Sequence, residues 1–549
     1  MMDTQLMTDK LRGADILARS LDRAGMHQIF TLSGNHIMEI FDAAIGTNIN
    51  LTHVRQEGAA VLMAGAWGQL TGNVGLAMVT GGPGHTNACA ALCTPEASEM
   101  PMVLISGHAP TNELGRGSFQ ELPQVEMAAS VTKASWMSES ATEVGHDIAL
   151  ACRIAASGRP GPVHLSLPSD VLEEVLDEHP ALWPDVEDFA PVKQLLSNVT
   201  ANAAIATMET AERPIIVVGP HLCTKPGRAA QRAVEEKLGV PVIGMESPRG
   251  LNDPCLGAYA EALQKADLII LLGKPMDHTV KFGDVPFVDQ GCQFIVLDPD
   301  ISLIDRVASN KGDRLVLSAV VDAFPAAEKL IGIGRSVGDE RWCKAVHEAA
   351  DYRPDAWADI AGEEGALHAL DFCRGVKSFV AQHPDLVLIM DGGEIGQWSQ
   401  ANLNSERRIT NGVAGSIGAA TPFALAARVA EPQEPVLAIM GDGTFGFHMA
   451  EFDTAVRNKL PFVAVVGNDA CWNAEHQIQI RDYGENRAHG CELLPTRYDQ
   501  MVAAIGGHGE FVTKAEELPG AIQRAYDSGK PACVNVMIQS VAAPIVRRG

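Results

Sequence analysis

The sequence predicts an α/β fold built from three doubly wound parallel-sheet domains. Short apolar runs of β-forming residues alternate with amphipathic helical stretches along nearly the whole chain, the pattern of parallel strands joined by helices. Several runs are apolar almost throughout, as expected for strands buried on both faces. The length of 549 residues requires more than one hydrophobic core, because domains usually span about 100–200 residues.

Two stretches rich in proline and acidic residues, around 176–196 and 339–364, divide the alternating pattern. We therefore expect an N-terminal domain at 1–180, a central domain at 192–340 and a C-terminal domain at 362–549. The predicted strands lie within 27–34, 74–80, 101–107 and 161–170, then 213–221, 266–274 and 292–300, and finally 385–394, 435–443, 461–469 and 531–538.

Composition and charge narrow the class of protein. The chain is 46% hydrophobic and 20% charged, as in a folded soluble enzyme. Its net charge of −26 disfavours nucleic acid and anionic membranes as partners. The N-terminal segment lacks the apolar core of a signal peptide, and no run of about 18 apolar residues predicts a membrane span. The 11 cysteines include no CxxC motif, which favours free thiols and a cytoplasmic location.

The most informative motif is Gly441-Asp442-Gly443, at the end of an apolar strand and the start of a predicted helix. Ligands of open α/β sheets bind at this carboxyl edge, and helix N-termini offer unpaired N–H groups to anions. The two glycines allow close approach of a phosphate, and Thr444 belongs to the same candidate cofactor-binding segment. Asp469 ends the next strand, 27 residues later, so both carboxylates should share one edge.

Two carboxylates beside a helix start suit Mg²⁺ bound to a diphosphate. The alternative is an ordinary turn that contains aspartate, since such tripeptides are common in turns. Asp469, a second acidic residue at a strand end, favours the metal interpretation. A nicotinamide oxidoreductase is a rival class, but its GxGxxG fingerprint with a following acidic residue is not evident.

This motif, with the Asn468-Asp469 pair, resembles the signature of thiamine-diphosphate enzymes. The chain is similar over nearly its whole length to the acetolactate synthase, benzaldehyde lyase and 2-hydroxyacyl-CoA lyase group. The resemblance implies a pyrimidine-binding domain, a central domain and a diphosphate-binding domain. That group usually has Asn at Asp469, but aspartate is also an oxygen ligand. The resemblance makes the backbone carbonyl of Cys471 the third protein ligand of the metal.

The resemblance also assigns residues around the cofactor. Glu57, in the segment Arg55-Gln56-Glu57, would bond the pyrimidine ring and activate the cofactor, although an acidic residue at a helix start can also simply stabilise the helix. Thr80 falls where the family packs the pyrimidine. Gly415 would accept a hydrogen bond from the cofactor amino group, and Ile417 would hold its rings in a bent conformation. The strand end at Gly392 and Gly393 would add N–H groups to the diphosphate.

Candidates for the reacting centre follow from the same comparison. Gln120 matches a glutamine that reaches this centre in synthases and in benzaldehyde lyase. Ser33 stands where benzaldehyde lyase has a histidine, and a serine hydroxyl cannot replace an acid or base near neutral pH. His85 and His476 are therefore the candidates for proton transfer, whereas His36 is interpreted as structural.

Trp472, Ala474 and Gln477 follow the metal strand and are expected to line the substrate pocket, together with Ser33 and Gln120; core packing is the alternative for Trp472. The resemblance implies a lyase or carboligase that acts on small 2-oxo acids or 2-hydroxy ketones through ylide and enamine intermediates. The alternatives are a 2-oxo acid decarboxylase, an enzyme similar to 2-hydroxyacyl-CoA lyase or oxalyl-CoA decarboxylase, and a cofactor-binding protein without activity.

Further expectations concern the central domain and the assembly. The flavin-contacting segment of acetolactate synthases is absent and "GKPMDHTVKFG" stands at 273–283, which argues against FAD. The central domain is expected to bind either nothing or an adenine nucleotide. The family places Glu57 of one subunit against the diphosphate domain of another, which implies a homodimer or homotetramer.

Overall fold

The computed structural model describes residues 10–548, so residues 1–9 and 549 of the predicted terminal domains lie outside it. The chain divides after Val192 into two compact units. In residues 10–548, no helix combines the length and the apolar character needed to cross a membrane.

The first unit contains a parallel sheet of six strands, in the order β3-β2-β4-β5-β7-β6, and a short antiparallel pair, β1 with β8. Every residue of its central strand β5 is buried, because helices cover both faces. The strands are β1 (Lys10–Arg12), β2 (Gln28–Thr31), β3 (Asn50–His53), β4 (Gly75–Val79), β5 (Met102–His108), β6 (Ser135–Met137), β7 (Pro162–Pro168) and β8 (Val175–Asp177).

The helices of the first unit are α1 (Gly13–Arg23), α2 (Met38–Ala43), α3 (Glu57–Thr71), α4 (Pro83–Ala91), α5 (Cys93–Ala97), α6 (Gln124–Ala129), α7 (Val144–Ala156) and α8 (Ser169–Glu173). Helix α3 is rich in glycine and alanine, and most of its residues are buried. It ends at Gly72, whose φ of 73° is the left-handed conformation that glycine adopts without strain.

The second unit begins with a five-stranded parallel sheet in the order β10-β9-β11-β12-β13. Alternate residues of β9 enter separate cores on the two faces, Ile216 and Val218 on one side, Ile215 and Val217 on the other. Its elements are β9 (Pro214–Val218), β10 (Val242–Gly244), β11 (Leu268–Leu272), β12 (Gln293–Asp298), β13 (Leu315–Val320), α9 (Asn198–Thr210), α10 (Lys225–Leu238), α11 (Tyr259–Leu263), α12 (Ile301–Lys311), α13 (Ala323–Ile333) and α14 (Glu340–Ala350).

A second sheet of this unit has six parallel strands in the order β15-β14-β16-β17-β19-β18. The elements around it are β14 (Val387–Met390), β15 (Arg407–Thr410), β16 (Val436–Gly441), β17 (Val463–Asn468), β18 (His508–Val512), β19 (Ala532–Met537), α15 (Ala369–Gln382), α16 (Gly393–Asn402), α17 (Ala420–Ala430), α18 (Asp442–Phe447), α19 (Glu451–Arg457), α20 (Asn473–Tyr483), α21 (Tyr498–Ala504) and α22 (Leu518–Asp527).

The prediction of an α/β fold with doubly wound parallel sheets is confirmed, and every predicted strand is present. The helix predicted to start at the glycine motif is interrupted. The stretch from Asp442 onward forms two helices, α18 and α19, instead of one. The break lies at His448, which leaves helical geometry and places its Nδ1 2.7 Å from the Gly418 carbonyl oxygen.

The three sheets share the arrangement of their first strands. In each, the chain places its second strand beside the first, then crosses to the other side for the third. The crossing leaves a crevice at the carboxyl ends of the first and third strands, where open α/β sheets bind ligands. In the first unit this crevice lies after β2 and β4, and in the last sheet it lies after β14 and β16.

A buried ionic cluster joins the two sheets of the second unit. Glu246, which follows β10, accepts hydrogen bonds from Arg408 of β15, with Nε at 2.8 Å, and from Arg228 of α10 at 2.9 Å. Burial alone would raise the pKa of Glu246, but Arg408 and Arg228 outweigh it and hold the pKa below its usual value. Removing one member leaves the other charges buried without compensation, which is costly.

We expect Glu246→Gln to lower the free energy of unfolding by about 3–5 kcal/mol at neutral pH. Because the folded-state pKa of Glu246 is depressed, its contribution is present above the unfolded-state value of about 4.3 and is lost as pH falls through the folded-state value. Urea unfolding followed by tryptophan fluorescence, repeated towards acidic pH, measures the difference. Glu406→Gln removes an exposed ion pair with Arg232 and should cost at most about 1 kcal/mol. Equal losses in the two variants would contradict the assignment.

Candidate active site

Two aspartates meet at the carboxyl edge of the last sheet. Gly441 and Gly467 are directly paired in the register of β16 and β17. Asp442 follows the first of these glycines and Asp469 comes two residues after the second, so the sheet itself brings them together. Asp442 is only 1% exposed, and both aspartates line the same cleft.

The charge of these aspartates is poorly compensated by the protein. Burial raises the pKa of both carboxyls, and for Asp469 the neighbouring Asp442 raises it further. Backbone N–H groups, including that of Cys471, oppose the shift only in part. Asp442 Oδ2 is buried and has no hydrogen-bond partner among the described residues. A cation between the carboxyls would supply the missing partner and let both ionise.

The loop after β17 is tightly held. Ala470 adopts a φ of 54°, which is unusual for alanine. Its carbonyl accepts the Leu493 N–H at 2.7 Å, and the Trp472 carbonyl accepts the His476 N–H at 3.0 Å. Within the described part of the chain, the intervening Cys471 carbonyl accepts no backbone hydrogen bond, which agrees with the ligand role implied by the resemblance.

The Cys471 side chain makes a different contact from the backbone carbonyl of the same residue. Its Sγ lies 3.1 Å from His476 Nδ1, so this predicted proton-transfer candidate contacts the metal loop. Burial raises the pKa of the thiol to about 12, and the nearby Asp469 adds to the rise. The thiol is therefore protonated at neutral pH and is not suited to bind a metal.

Close backbone packing shapes the rest of the cleft. Gly392 has a φ of 74°, and a Cβ there would collide with Thr444 Oγ1. A Cβ on Gly443 would lie 2.7 Å from the Trp472 ring. Gly393 faces open space. These contacts bring the N–H groups of two strand ends to one cleft, and they place the Trp472 ring against the glycine motif.

The segment after β15 is anchored to β14 by a buried carboxylate. Asp391 Oδ2 accepts the N–H groups of Gly418 and Ala420 at 3.0 and 2.9 Å. Burial raises the pKa of Asp391 to about 7 in spite of these bonds. The anchoring positions Ile417 in the wall of the cleft, while Gly415 has a φ of 69° in the preceding turn.

The cleft is partly open to solvent and has a cavity volume of about 70 Å³. Of the predicted pocket residues, Trp472 and Ala474 line it, whereas Gln477 donates to Asn473 Oδ1 at 2.9 Å on α20. Glu394 also lines it and was missed by sequence reasoning. Burial raises the pKa of Glu394, and Arg249 at 3.3 Å offsets part of that rise.

The remaining predicted residues lie in the first unit, at the crevice after β2 and β4. Glu57 Oε2 accepts a hydrogen bond from Asn87 at 3.0 Å. A Cβ on Gly84 would lie 2.8 Å from Thr80 Cγ2 and 3.5 Å from Glu57 Oε1. Glu57 and Thr80 are therefore neighbours, as the resemblance implies. Asn87 had not been singled out from the sequence.

Glu57 lies in the first turn of α3, as the helix-stabilising alternative requires, but it is not the residue that caps the helix. Gln56, not Glu57, is the N-cap of α3, and its Oε1 accepts the Ala59 N–H at 3.2 Å. Glu57 is the first residue of the helix, and its carboxylate points to Asn87. Its side chain thus remains available to a ligand in the crevice.

Gln120 and Ser33 lie on the rim of the same crevice. Gln120 has a φ of 58°, and a Cβ on Gly82 would lie 2.7 Å from Gln120 Cβ. Ser33 is exposed, and its Oγ lies 3.0 Å from His53 Nε2. His53 was not considered from the sequence, because only the pairing of β2 with β3 brings it to Ser33.

His85 lies in the interior of the first unit. It is fully buried, with Nδ1 2.8 Å from Ser106 Oγ and Nε2 3.0 Å from Cys89 Sγ. Burial lowers the pKa of His85 to about 4. This placement favours a packing role over the predicted proton transfer. His36 is also buried and lies 3.2 Å from Thr80 Oγ1, in keeping with its structural interpretation.

Taken together, the donors fit a diphosphate cofactor held through a divalent cation. The uncompensated Asp442–Asp469 pair suits the cation, and the glycine strand ends at Gly392 and Gly443 suit the phosphate oxygens. A parallel-sheet protein with such a cleft falls in the class of diphosphate-cofactor enzymes.

Comparison with known proteins gives the family. Residues 11–127 match the thiamine pyrophosphate enzyme N-terminal TPP binding domain, and residues 391–536 match the C-terminal TPP binding domain. A probable acetolactate synthase of Mycobacterium bovis is 30% identical over 541 residues, which cover 96% of each chain. A 2-hydroxyacyl-CoA lyase 2 of Caenorhabditis elegans is 29% identical over 583 residues, 96% of this chain and 90% of the relative.

The chain belongs to the thiamine pyrophosphate enzyme family. It is therefore an enzyme, and thiamine diphosphate is its cofactor. This confirms the resemblance seen in the sequence and sets aside both the nicotinamide oxidoreductase and the cofactor-binding protein without activity.

The Asp442–Asp469 pair should lower the stability of the protein until a cation neutralises it. We expect Asp442→Asn to raise the thermal midpoint of the cofactor-free protein, because it removes one of two facing carboxyls. The same variant should lose the stabilisation by thiamine diphosphate and Mg²⁺, which at 100 times Kd is about 2.7 kcal/mol in wild type. Scanning calorimetry with EDTA, and then with cofactor and Mg²⁺, measures both effects.

Asp527→Asn, at an exposed site on α22, serves as the control and should change neither value. An Asp442→Asn protein that keeps the full cofactor-dependent stabilisation would rule out a metal role for this residue.

Proposed function

We propose that the protein is a thiamine diphosphate- and Mg²⁺-dependent carbon–carbon lyase or carboligase for small 2-oxo acids or 2-hydroxy ketones. The observation that carries the cofactor chemistry is the Asp442–Asp469 pair at the edge of the last sheet, in which Asp442 is buried and Asp469 half-buried. The choice of reaction is supported by the relative named acetolactate synthase, which is similar over 96% of the chain.

The cofactor would be held at both ends. Asp442, Asp469 and the Cys471 carbonyl are the proposed Mg²⁺ ligands. N–H groups of the strand ends at Gly392–Gly393 and Gly441–Thr444 would bind the diphosphate. When bound, thiamine diphosphate supplies a nucleophilic carbon that adds to a carbonyl group.

Residues of the first unit would control protons. Glu57 is proposed to bond the pyrimidine ring, with Asn87 holding its Oε2. Thr80 would pack beside that ring. In the second unit, Gly415 and Ile417 are proposed to contact the cofactor between its two rings. Ile417 lines the cleft of the second unit, which supports this role.

The substrate pocket is proposed to include Gln120, whose amide can orient a substrate oxygen without changing charge. Trp472 and Ala474 would contribute from the loop after β17, since both line the cleft. Gln477 is held by Asn473 and would need to rotate away from α20 to reach a substrate.

A second candidate activity is cleavage of a 2-hydroxyacyl-CoA. It is favoured by the 2-hydroxyacyl-CoA lyase 2 of C. elegans and by a 2-hydroxyacyl-CoA lyase of Arabidopsis thaliana, 26% identical over 96% of both chains. Decarboxylation without ligation uses the same cofactor and differs only in what captures the activated carbon. We further propose a cytoplasmic location; FAD is not part of the proposal, and an adenine nucleotide in the central domain stays a prediction.

Product analysis tests the reaction. Protein with thiamine diphosphate and Mg²⁺ is incubated separately with pyruvate, benzoin, benzaldehyde, formaldehyde and a 2-hydroxyacyl-CoA, and products are identified by mass spectrometry. We expect acetolactate or a 2-hydroxy ketone, formed only with the cofactor. Glu57→Gln should abolish nearly all turnover, because it removes the carboxylate at the pyrimidine ring, whereas Glu96→Gln, an exposed residue of α5, should not. Formyl-CoA and the matching aldehyde from the 2-hydroxyacyl-CoA, with no product from the other substrates, would replace the main proposal by the second candidate.

Active sites shared between subunits of a homodimer or homotetramer are a separate part of the proposal, and mixing two inactive variants tests it. If Glu57 of one subunit serves the diphosphate site of another, a mixed dimer of Glu57→Gln and Asp442→Asn subunits keeps one intact site. Random exchange makes about half of the dimers mixed, so about a quarter of wild-type activity should return. Each variant alone is the control. No recovery, with subunit exchange verified by mass spectrometry, would place both residues of a site in one chain.

A further inference from the structure

We infer that Ser33 and His53 form a hydroxyl–imidazole pair that transfers the proton at the substrate oxygen. The inference rests on the proposed lyase or carboligase function and identifies a group for the acid–base step. In that reaction a carbonyl oxygen becomes a hydroxyl, or the reverse, so a proton must move at that oxygen.

The contact between the two residues defines the direction of the hydrogen bond. His53 Nε2 lies 3.0 Å from Ser33 Oγ and 3.2 Å from the Ser33 backbone nitrogen. A backbone N–H can only donate, so Nε2 is the acceptor and the imidazole is neutral with its proton on Nδ1. The Ser33 hydroxyl therefore donates to a nitrogen that can act as a base.

The sheet holds this pair at the crevice. Thr31 of β2 and His53 of β3 are partners in the parallel register, so the two strands end side by side. Ser33 lies two residues beyond Thr31, at the point where the strand order reverses. Open α/β sheets bind their ligands at such points.

Ser33 is also continuous with the residues proposed to contact the pyrimidine. Its neighbour Gly34 is so close to Thr80 that a Cβ on Gly34 would collide with the threonine side chain. Thr80 in turn lies beside Gly84 and Glu57. Ser33 is exposed, whereas Thr80 and Glu57 are half-buried, so its hydroxyl is accessible at the rim, where a substrate would enter.

Other histidines of this region are less suited to the step. His85 is fully buried between Ser106 and Cys89. His108 is buried, and its Nδ1 and Nε2 lie 3.2 and 3.1 Å from backbone carbonyl oxygens. His36 is buried against Thr80. Ser33–His53 combines an imidazole with a hydroxyl that is accessible from the crevice.

The proton balance is simple. In the cleavage direction the substrate hydroxyl gives its proton to Ser33 Oγ as the Ser33 proton passes to His53 Nε2. The O–H electron pair becomes the second bond of the carbonyl that leaves, and the carbon–carbon electron pair stays with the other fragment. In ligation the imidazolium returns the proton through Ser33 to the new hydroxyl, so no other co-reactant is needed.

The test compares Ser33→Ala, Ser33→Thr, His53→Gln and the double variant Ser33→Ala/His53→Gln with wild type. We expect kcat to fall about 10²–10⁴-fold in Ser33→Ala and in His53→Gln, the usual contribution of a general acid–base group. The double variant should be no slower than the slower single variant, because the pair acts as one unit. Ser33→Thr keeps the hydroxyl and should retain most of the rate. His146→Gln, an exposed histidine bonded to the Ala181 carbonyl, is the matched control.

Two further measurements separate proton transfer from a structural role. The Kd for thiamine diphosphate, from tryptophan fluorescence without substrate, should be unchanged in all variants. Imidazole added to a His53→Gly protein should restore part of kcat. Nitrogen-15 NMR of the cofactor-free protein should show His53 with its proton on Nδ1.

The outcomes distinguish this inference from the proposed function. If the wild-type protein is active and Ser33→Ala keeps a rate within threefold of it, the claim that the Ser33–His53 pair transfers the proton is overturned. The lyase or carboligase proposal would then stay intact. A loss of rate with weakened cofactor binding and no imidazole rescue would make the pair structural, which also overturns it. Wild-type protein that turns over no carbonyl substrate would overturn both.

Discussion

The crevice at the reversal of strand order governs where chemistry can occur in this chain. Parallel strands buried on both faces leave little room for polar side chains except at their ends. In the first unit the crevice after β2 and β4 gathers Ser33, Thr80 and Glu57. In the last sheet the equivalent crevice gathers Asp391, Asp442 and their glycine neighbours. The same topology therefore gives two polar sites of different character, and the character depends on the few residues at each strand end.

The site of the last sheet has more acidic groups than the neighbouring cationic side chains neutralise. Asp442 is buried and Asp469 half-buried, and in residues 10–548 no Lys, Arg or His forms an ion pair with either of them. Glu394 and Glu475 add two further acidic groups to the lining of the cleft. Arg249 is paired with Glu394 rather than with the aspartates. Because two neighbouring carboxylates repel each other, each one disfavours ionisation of the other. A divalent cation would reverse that preference, so in the proposed function the binding energy of the cofactor would include relief of this electrostatic cost.

Sequence reasoning succeeded where the signal was local. Strands such as β5 and β16 are continuous apolar runs, and their ends carry the motifs that located the aspartates and glycines. It failed where tertiary context decides the outcome. Strand β13 alternates between half-buried and exposed residues, and β18 is mostly half-buried at the edge of its sheet. The helix after Gly443 divides because His448 bonds to Gly418, a partner 30 residues away in sequence. Asn87 and Glu394 gave no signal because their partners are also distant in sequence.

The substitution at Ser33 shows how a missing group can be supplied by a neighbouring strand. Read along the chain, a serine where a histidine is expected removes the base, and His85 becomes the next candidate because it follows a cofactor turn. In three dimensions His85 is buried in the interior of the first unit, where it contacts Ser106, while β3 places His53 within hydrogen-bonding distance of Ser33. A side chain at the end of an adjacent parallel strand occupies nearly the same place as one on the original strand. Acid–base function can therefore move between strands without a change of fold, and the residue that performs it is found from the pairing of strands rather than from the motif.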